Sequence, residues 1–320
     1  MRLKYIKPYL FNLTFNLLTF YIFLYFYYMV DFVIPLHKRN FIIRAVVEGI
    51  INLYNPLNIY IIVPNIYIND LKNDINNWIV SLTNILLIEE ETFFIINYNL
   101  SIDDIKKFYH YLDEESREFG WWYQQIIKLG AVYQIKNLSD PYIVWDSDLI
   151  PVIKWSLEKP YKFAILQEEG RSIFNILEYK KSIYYLLKLE AIEPEKGTFV
   201  PHHFVIHHDI VKSMLKYIMI DKNEKSWIKL IIGLSSNYYR FSEYKCLATF
   251  MNRFYPELLM YHNFDKYGKY GVRYRDNETI IKIIKELCKI DNSGLEYLEI
   301  LSFIKLYYEN NMSYMQIEHV

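Results

Sequence analysis

The sequence predicts an α/β protein with a mostly parallel central sheet flanked by helices and a helical C-terminal part. Three observations predict it. Short, continuously apolar segments at 31–36, 58–64 and 85–88 alternate with segments of helical periodicity, as buried parallel strands do. The hydrophobic fraction of 52% in 320 residues is ample for a core covered on both faces. A further apolar run, Tyr142 to Trp145, stops at Asp146-Ser147-Asp148 and resumes at Leu149-Ile150-Pro151, which puts charge at a strand end, where open parallel sheets bind ligands.

The elements follow in order. Asp31 to Leu36 reads as the first strand, and the loop His37-Lys38-Arg39-Asn40 leads to a helix over Phe41 to Tyr54. Asn58 to Pro64 is a second strand, Leu71 to Leu82 a helix, and Ile85 to Ile88 a third strand. Ser101 and Asp104 form a capping signature. Trp121 to Leu129 is helical and passes through Asp140-Pro141 into the strand before the aspartates. Phe163 to Leu166 reads as a strand, 167–197 as mostly helix, and Gly197 to Ile206 as a strand interrupted by polar groups. Helices are expected over Asp209–Met219 with Asp209 as cap, Trp227–Leu234, Tyr244–Phe254, and near 278–290 and 294–310. No repeat or Gly-Ser hinge divides the chain, so 31–320 is expected to form one domain.

Composition excludes several classes. With 36 Lys+Arg against 37 Asp+Glu and a net charge of -1, there is no basic excess for nucleic acid. Two cysteines, Cys246 and Cys288, supply neither a disulfide framework nor a four-cysteine zinc site. Richness in Ile, Tyr, Asn and Lys suggests an AT-rich genome, such as that of a large DNA virus; a viral protein would then work at host membranes or in the cytoplasm at a virus factory. Residues 1–30 form a separate hydrophobic segment. Its uncharged stretch, 8–30, is long enough to cross a bilayer as a signal anchor behind Arg2, Lys4 and Lys7. Alternatively Met29 is the true start.

Asp146 and Asp148 are the leading candidates for chemistry. Residues i and i+2 of an extended segment face one way, so both carboxylates can meet one ion. Hard oxygen ligands suit Mg²⁺ or Mn²⁺, which can hold a diphosphate. Read as residues alone, the pair is also compatible with a solvated turn.

Four blocks carry a family resemblance. Gly120-Trp121-Trp122-Tyr123-Gln124-Gln125-Ile126-Ile127-Lys128-Leu129, Tyr142 to Asp148, Thr198 to Ile206, and Phe241-Ser242-Glu243-Tyr244 occur in that order. Together they resemble a glycosyltransferase-like family of the GT-A (Rossmann-like) fold with an Asp-x-Asp motif, found in bacteria and large DNA viruses. The resemblance implies a metal-dependent glycosyltransferase, with a nucleotide-sugar donor, most readily a UDP-sugar, and a glycan or protein acceptor. It implies Mn²⁺ or Mg²⁺ at Asp146 and Asp148.

Around that centre the candidates keep two readings. Gln124, Gln125 and Lys128 either reach the donor or form a solvated helix face, with Gln124 and Lys128 sharing a side at i, i+4. Of His202 and His203, adjacent in a strand, one can face the cleft and hydrogen-bond the donor or acceptor. Glu243 is the candidate base for an acceptor hydroxyl, or an ordinary first-turn acid. His37, Lys38 and Arg39 form either a nucleotide-binding loop or a basic surface loop, and His262 is a candidate third metal ligand. Two other functions are kept: a non-catalytic glycan-binding or degenerate transferase fold, and another Mg²⁺-dependent nucleotidyl or phosphoryl enzyme.

Overall fold

The computed structural model describes residues 30–78, 83–110, 118–155, 162–163, 173–194, 199–237, 239–261, 271–274, 278–308 and 312–318. In chain order these form β1 (Asp31–Pro35), α1 (Ile43–Tyr54), β2 (Asn58–Val63), α2 (Asn65–Ile75), β3 (Asn84–Glu89), α3 (Ile95–Tyr98), α4 (Ile102–Lys106) and α5 (Phe119–Gln134). There follow β4 (Tyr142–Trp145), β5 (Leu149–Pro151), β6 (Lys162–Phe163), α6 (Ile173–Leu187), β7 (His203–Ile206), α7 (His208–Lys222), α8 (Trp227–Ile232) and α9 (Glu243–Phe254). The last part holds β8 (Met260–Tyr261), β9 (Gly271–Tyr274), α10 (Glu278–Leu287), β10 (Ile290–Asp291), β11 (Gly294–Leu295), α11 (Tyr297–Tyr307) and β12 (Tyr314–Ile317).

The central sheet has the order β3-β2-β1-β4-β7. β1 to β4 run parallel, and β7 lies antiparallel to β4. Alternation along each strand feeds two cores. Val33, Tyr60, Ile62, Val144 and Phe204 pack under α5 to α9. Phe32, Ile34, Ile59, Ile61 and Ile143 pack on the other face under α1, α10, α11 and β12. Continuous apolar strands are what a sheet covered on both sides requires. The α/β architecture is therefore the one the sequence predicts.

A second sheet, β5-β12-β9, is the element the sequence reading missed. The C-terminal part was expected to be helical, yet β12 returns after α11 and lies between β5 and β9. Its four residues are too few for periodicity to reveal, and all are buried. The return matters because β5 begins immediately after the aspartate turn.

Other boundaries shift for local reasons. The second helix starts at Asn65, six positions before the expected Leu71, because Pro64 at its N-cap has φ -55 and opens it. Ser101 and Asp104 make the full capping box, and Ser242 accepts the Lys245 N–H to start α9. Asp209 is not the cap of α7: His207 occupies that position without a side-chain bond. Asp140 Oδ1 accepts the His208 N–H from across the sheet at 3.1 Å, and Asp209 sits in the first turn. Of the expected strand Phe163 to Leu166, Phe163 belongs to β6, and 164–166 lie outside the described residues. Cys246 and Cys288 are buried free thiols. No helix among the described residues is long and apolar enough to cross a membrane; the expected anchor, apart from Val30, lies outside them.

One buried acid lies apart from the aspartates. Glu90, 8% exposed, follows β3, and burial, then the neighbouring Glu91, raises its carboxyl from 4.5 to about 7. Its proton is therefore held more tightly folded than unfolded. Between about pH 4.5 and 7 the unfolded chain loses that proton first, so stability falls as pH rises. Glu90→Gln is expected to match the parent at pH 4 and to exceed it at pH 8 by on the order of 2–3 kcal/mol. Urea unfolding at the two pH values checks this, and an equal difference at both would refute it.

Candidate metal centre at the end of β4

β4 stops at Trp145, and Asp146-Ser147-Asp148 form the turn into β5. The Leu149 N–H donates to Asp146 O at 3.2 Å, and the Trp145 indole N–H donates to Leu149 O at 2.8 Å. The two carboxylates are thus brought together by a tight turn, not by the pleat of an extended strand. From the neighbouring β7, the Asp146 N–H is received by His202 O at 2.8 Å. His202 has φ 59. That left-handed conformation is uncommon outside glycine, though histidine is among the residues that adopt it more often. It ends the ladder of β7 and brings the imidazole over the turn. One ligand atom from each of Asp146, Asp148 and His202 lies within 4.8 Å of the others.

The adjacent histidines face different surroundings, because His203 begins β7 while His202 precedes it in the left-handed conformation. His202 Nδ1 lies 2.8 Å from Asp146 Oδ2. His203 is 1% exposed, stacked on Trp145 at 4.6 Å and set edge-on to Trp155 at 4.7 Å, with Nδ1 at 3.0 Å from Pro201 O. His203 is therefore part of the core, and His202 is part of the centre.

Lys128 is buried beneath the turn, 2% exposed. Its ammonium lies 2.5 Å from Asp146 Oδ1, 2.7 Å from Glu243 Oε1 and 3.1 Å from Tyr244 Oη. Those contacts use all of an ammonium's donors. The Tyr244 hydroxyl itself donates to Asp146 Oδ1 at 2.9 Å. Lys128 was expected to reach donor phosphates; the structure turns it inward to the carboxylates. Gln125 is also buried, and its Oε1 accepts the Glu243 N–H at 3.2 Å, tying α5 to the start of α9. Gln124 is half-buried on the adjoining side of the helix. Glu243, the expected base, is 3% exposed and faces Lys128, away from solvent.

The electrostatics follow from this packing. Burial opposes the charge on Asp146, but Lys128 and then His202 outweigh it and hold the carboxyl well below its usual range. Burial likewise opposes charge on Lys128, and Asp146 and Glu243 overcome it, keeping the ammonium protonated. Asp148 is pushed up to about 6 by burial and by the Asp146 charge. Burial raises Glu243 as well, against the pull of Lys128. Asp146 is thus a carboxylate locked in place, and Asp148 is the one whose ionisation burial and the Asp146 charge oppose.

Lys38 is exposed in the loop after β1. Arg39 of that loop is bidentate to Asp74, at 2.6 and 2.8 Å, and also donates to Asn292 O. The His37 ring sits against Gly120 at the start of α5, where an added Cβ would approach it to 3.2 Å. His262 lies outside the described residues. The sequence reading missed Gln316 and Glu318, which border the turn from β12: Gln316 Nε2 donates to Asp148 Oδ2 at 3.2 Å and to Glu318 Oε1 at 3.3 Å. No motif marks them, because only the pairing of β12 with β5 brings them there.

The donor set fits a divalent ion. It is rich in oxygen, with one imidazole, a combination that suits Mn²⁺ and tolerates Mg²⁺. Asp148 Oδ1 is buried without a hydrogen-bond partner among the described residues, a cost that a cation would remove.

Fold and centre together define an α/β protein with a cluster of two carboxylates and an imidazole at the carboxyl end of a sheet strand. The chain belongs to DUF6492, a family of unknown function, whose model matches residues 48–279, more than half of its length. None of the curated proteins matches it. Among solved structures, mouse xyloside xylosyltransferase 1 in its apo form aligns over 90% of this chain and 97% of its own, at 9% identity and TM-score 0.48. The apo WbbM bifunctional glycosyltransferase aligns over 90% of this chain and 45% of its own, at 11% identity and TM-score 0.40. A 4-diphosphocytidyl-2C-methyl-D-erythritol synthase from Anaerococcus prevotii aligns over 73% and 88%, at 9% identity and TM-score 0.34.

Proposed function

We propose that this protein is a metal-dependent glycosyltransferase that moves a sugar from a nucleotide-sugar donor, a UDP-sugar first among them, to a hydroxyl of a glycan or protein acceptor. The observation that carries the reading is the convergence of Asp146, Asp148 and His202 within 4.8 Å at the end of β4. Asp148, with its unpartnered oxygen, is the principal ligand for Mn²⁺ or Mg²⁺, and Asp146 and His202 complete the set. When bound, the ion supplies Lewis-acid stabilisation of the charge that develops on a leaving nucleoside diphosphate.

The chain's own residues hold that site in register. Lys128 and Tyr244 keep Asp146 ionised and fixed, and Asp146 in turn orients the His202 ring. We assign Glu243 to the same task, as the counter-ion that keeps Lys128 charged, in place of the acceptor-base role its sequence position suggested. Gln125 steadies α9, and Gln124 and Lys38, at the rim and in the exposed loop, are left as the side chains of the expected set that can meet donor or acceptor.

The test is donor hydrolysis by residues 29–320 across UDP-, GDP- and CMP-sugars, with and without Mn²⁺, beside Asp148→Asn. Metal-dependent release of one nucleotide is expected, reduced at least about a hundredfold in the variant, as loss of a transition-state charge contact does. Absence of turnover, together with absence of Mn²⁺-dependent nucleotide binding across the panel, would sink the reading in favour of a non-catalytic fold.

A further inference from the structure

Each carboxylate around the turn has a protein cation or several donors, with one exception among the described residues. Asp146 receives Lys128, Tyr244 and His202. Glu243 receives Lys128, and Glu318 is paired with Arg273 through its Nε at 2.7 Å and through Nη2. Asp148 receives only the side-chain amide of Gln316, on Oδ2. That amide is itself poorly matched. Gln316 is 1% exposed, and its Oε1 is buried without a hydrogen-bond partner. Its Nε2 also lies 3.1 Å from His202 Nδ1. If Nδ1 carries its proton toward Asp146, two donors face each other; if it does not, its lone pair faces the Asp146 carboxylate at 2.8 Å.

Gln316 is held there by backbone, not by chance of rotamer. β12 pairs Gln316 with Leu149 on one side and Arg273 on the other. The Ile317 N–H donates to Asp148 O at 3.0 Å, so the strand is pinned to the aspartate turn itself. A one-residue slip would send Gln316 to the opposite face. A cation that Asp148 holds on the side facing β12 meets the Gln316 amide, whose Nε2 lies 3.2 Å from Asp148 Oδ2. The positive NH₂ end would be repelled there, and the carbonyl end attracted. The two ends exchange by turning the amide over, with no other change in the side chain.

We propose that Gln316 is an oxygen ligand of the divalent ion, its carbonyl turning toward the cation that Asp148 holds, so that the C-terminal strand completes the metal centre. This rests on the metal-dependent reading above and adds a residue to it. With the carbonyl inward, Oε1 gains the cation, and that contact replaces the hydrogen bonds Nε2 makes to Asp148 Oδ2 and Glu318 Oε1.

Mn²⁺ binding to the full chain, followed by the electron paramagnetic resonance of free Mn²⁺, tests it without any need for turnover. Gln316→Met keeps the length and burial but removes the oxygen, and is expected to raise the Mn²⁺ Kd at least about tenfold. Gln316→Glu restores an oxygen and is expected to lower the Kd. If the residue served only as an N–H donor to Asp148, the glutamate would oppose Asp148 and weaken binding, and that result would overturn the proposal. Binding within twofold of the parent in Gln316→Met would overturn it equally, whatever Gln316→Glu does, since an added charge alone can tighten cation binding. Failure of the parent to bind Mn²⁺ at all would instead refute the metal-dependent reading. Circular dichroism of both variants separates loss of the ligand from loss of the fold.

Discussion

Lys128→Met is expected to destabilise the protein by about 3–5 kcal/mol, the usual cost of removing one partner from a buried ion pair. The side chain is 2% exposed and stands between Asp146 and Glu243, at 2.5 and 2.7 Å. Its ammonium also lies 4.6 Å above the Tyr244 ring. Methionine matches the volume but leaves two carboxylates buried side by side without a cation. They would then take up protons, so the loss should shrink as pH is lowered toward the carboxylate range and be fully present at neutral pH. Glu243→Gln in the same chain removes one of the stranded charges and should recover part of the stability, a coupling that a double-mutant cycle measures. Urea midpoints at constant m give the values. A loss below about 1 kcal/mol, the range of exposed pairs, would mean that Lys128 is not the internal counter-ion of the site.

The second large effect lies away from the aspartates. Arg44 of α1 is 2% exposed and donates to Glu48 Oε1 at 2.8 Å, to Asp291 Oδ2 at 2.9 Å and to Ser293 Oγ at 3.1 Å. Glu48 uses its other oxygen to accept the Tyr297 N–H at 2.9 Å, at the start of α11. One arginine thereby joins α1 to the β10-β11 hairpin and, through Glu48, to α11. The same helices are in close approach at Gly49, where a Cβ would come within 2.8 Å of the Tyr297 ring. Arg44→Met should cost about 3–5 kcal/mol, chiefly because Glu48, 5% exposed, loses its buried arginine partner. The Asp291 contact adds little, since that carboxylate is 41% exposed. Arg44→Lys should not rescue it, because a point charge cannot address Glu48, Asp291 and Ser293 with a fixed fork. Thermal unfolding of the two variants checks this, and a lysine variant as stable as the parent would show that charge alone matters there.

The sequence by itself determined the layered α/β plan, the strands 31–35, 58–63, 84–89 and 142–145 to within a residue or two, and the position of the acidic turn. Those features are local. A continuous apolar run, a capping box at Ser101 or an Asp-Ser-Asp after a strand is written in neighbouring residues, and the burial of a parallel sheet on both faces leaves that pattern in the composition. It also predicted that one histidine of His202-His203 could face the centre, though by strand alternation, whereas His202 precedes β7.

Only the tertiary structure decided which histidine, because the choice depends on the left-handed turn at His202 and on the Trp145 and Trp155 rings that enclose His203. It likewise placed Lys128 and Glu243 against each other. They stand 115 positions apart, and a charged residue on a helix reads as solvated until its partner is placed. Gln316 and Glu318 were invisible for the same reason. The four-residue strand that carries Gln316 and leads to Glu318 has no periodicity to detect, and its value lies wholly in its pairing with β5 beside the turn. Local sequence encodes which segments are buried. Which buried charges meet is a property of long-range packing, and in this protein the chemistry of the site depends on those meetings.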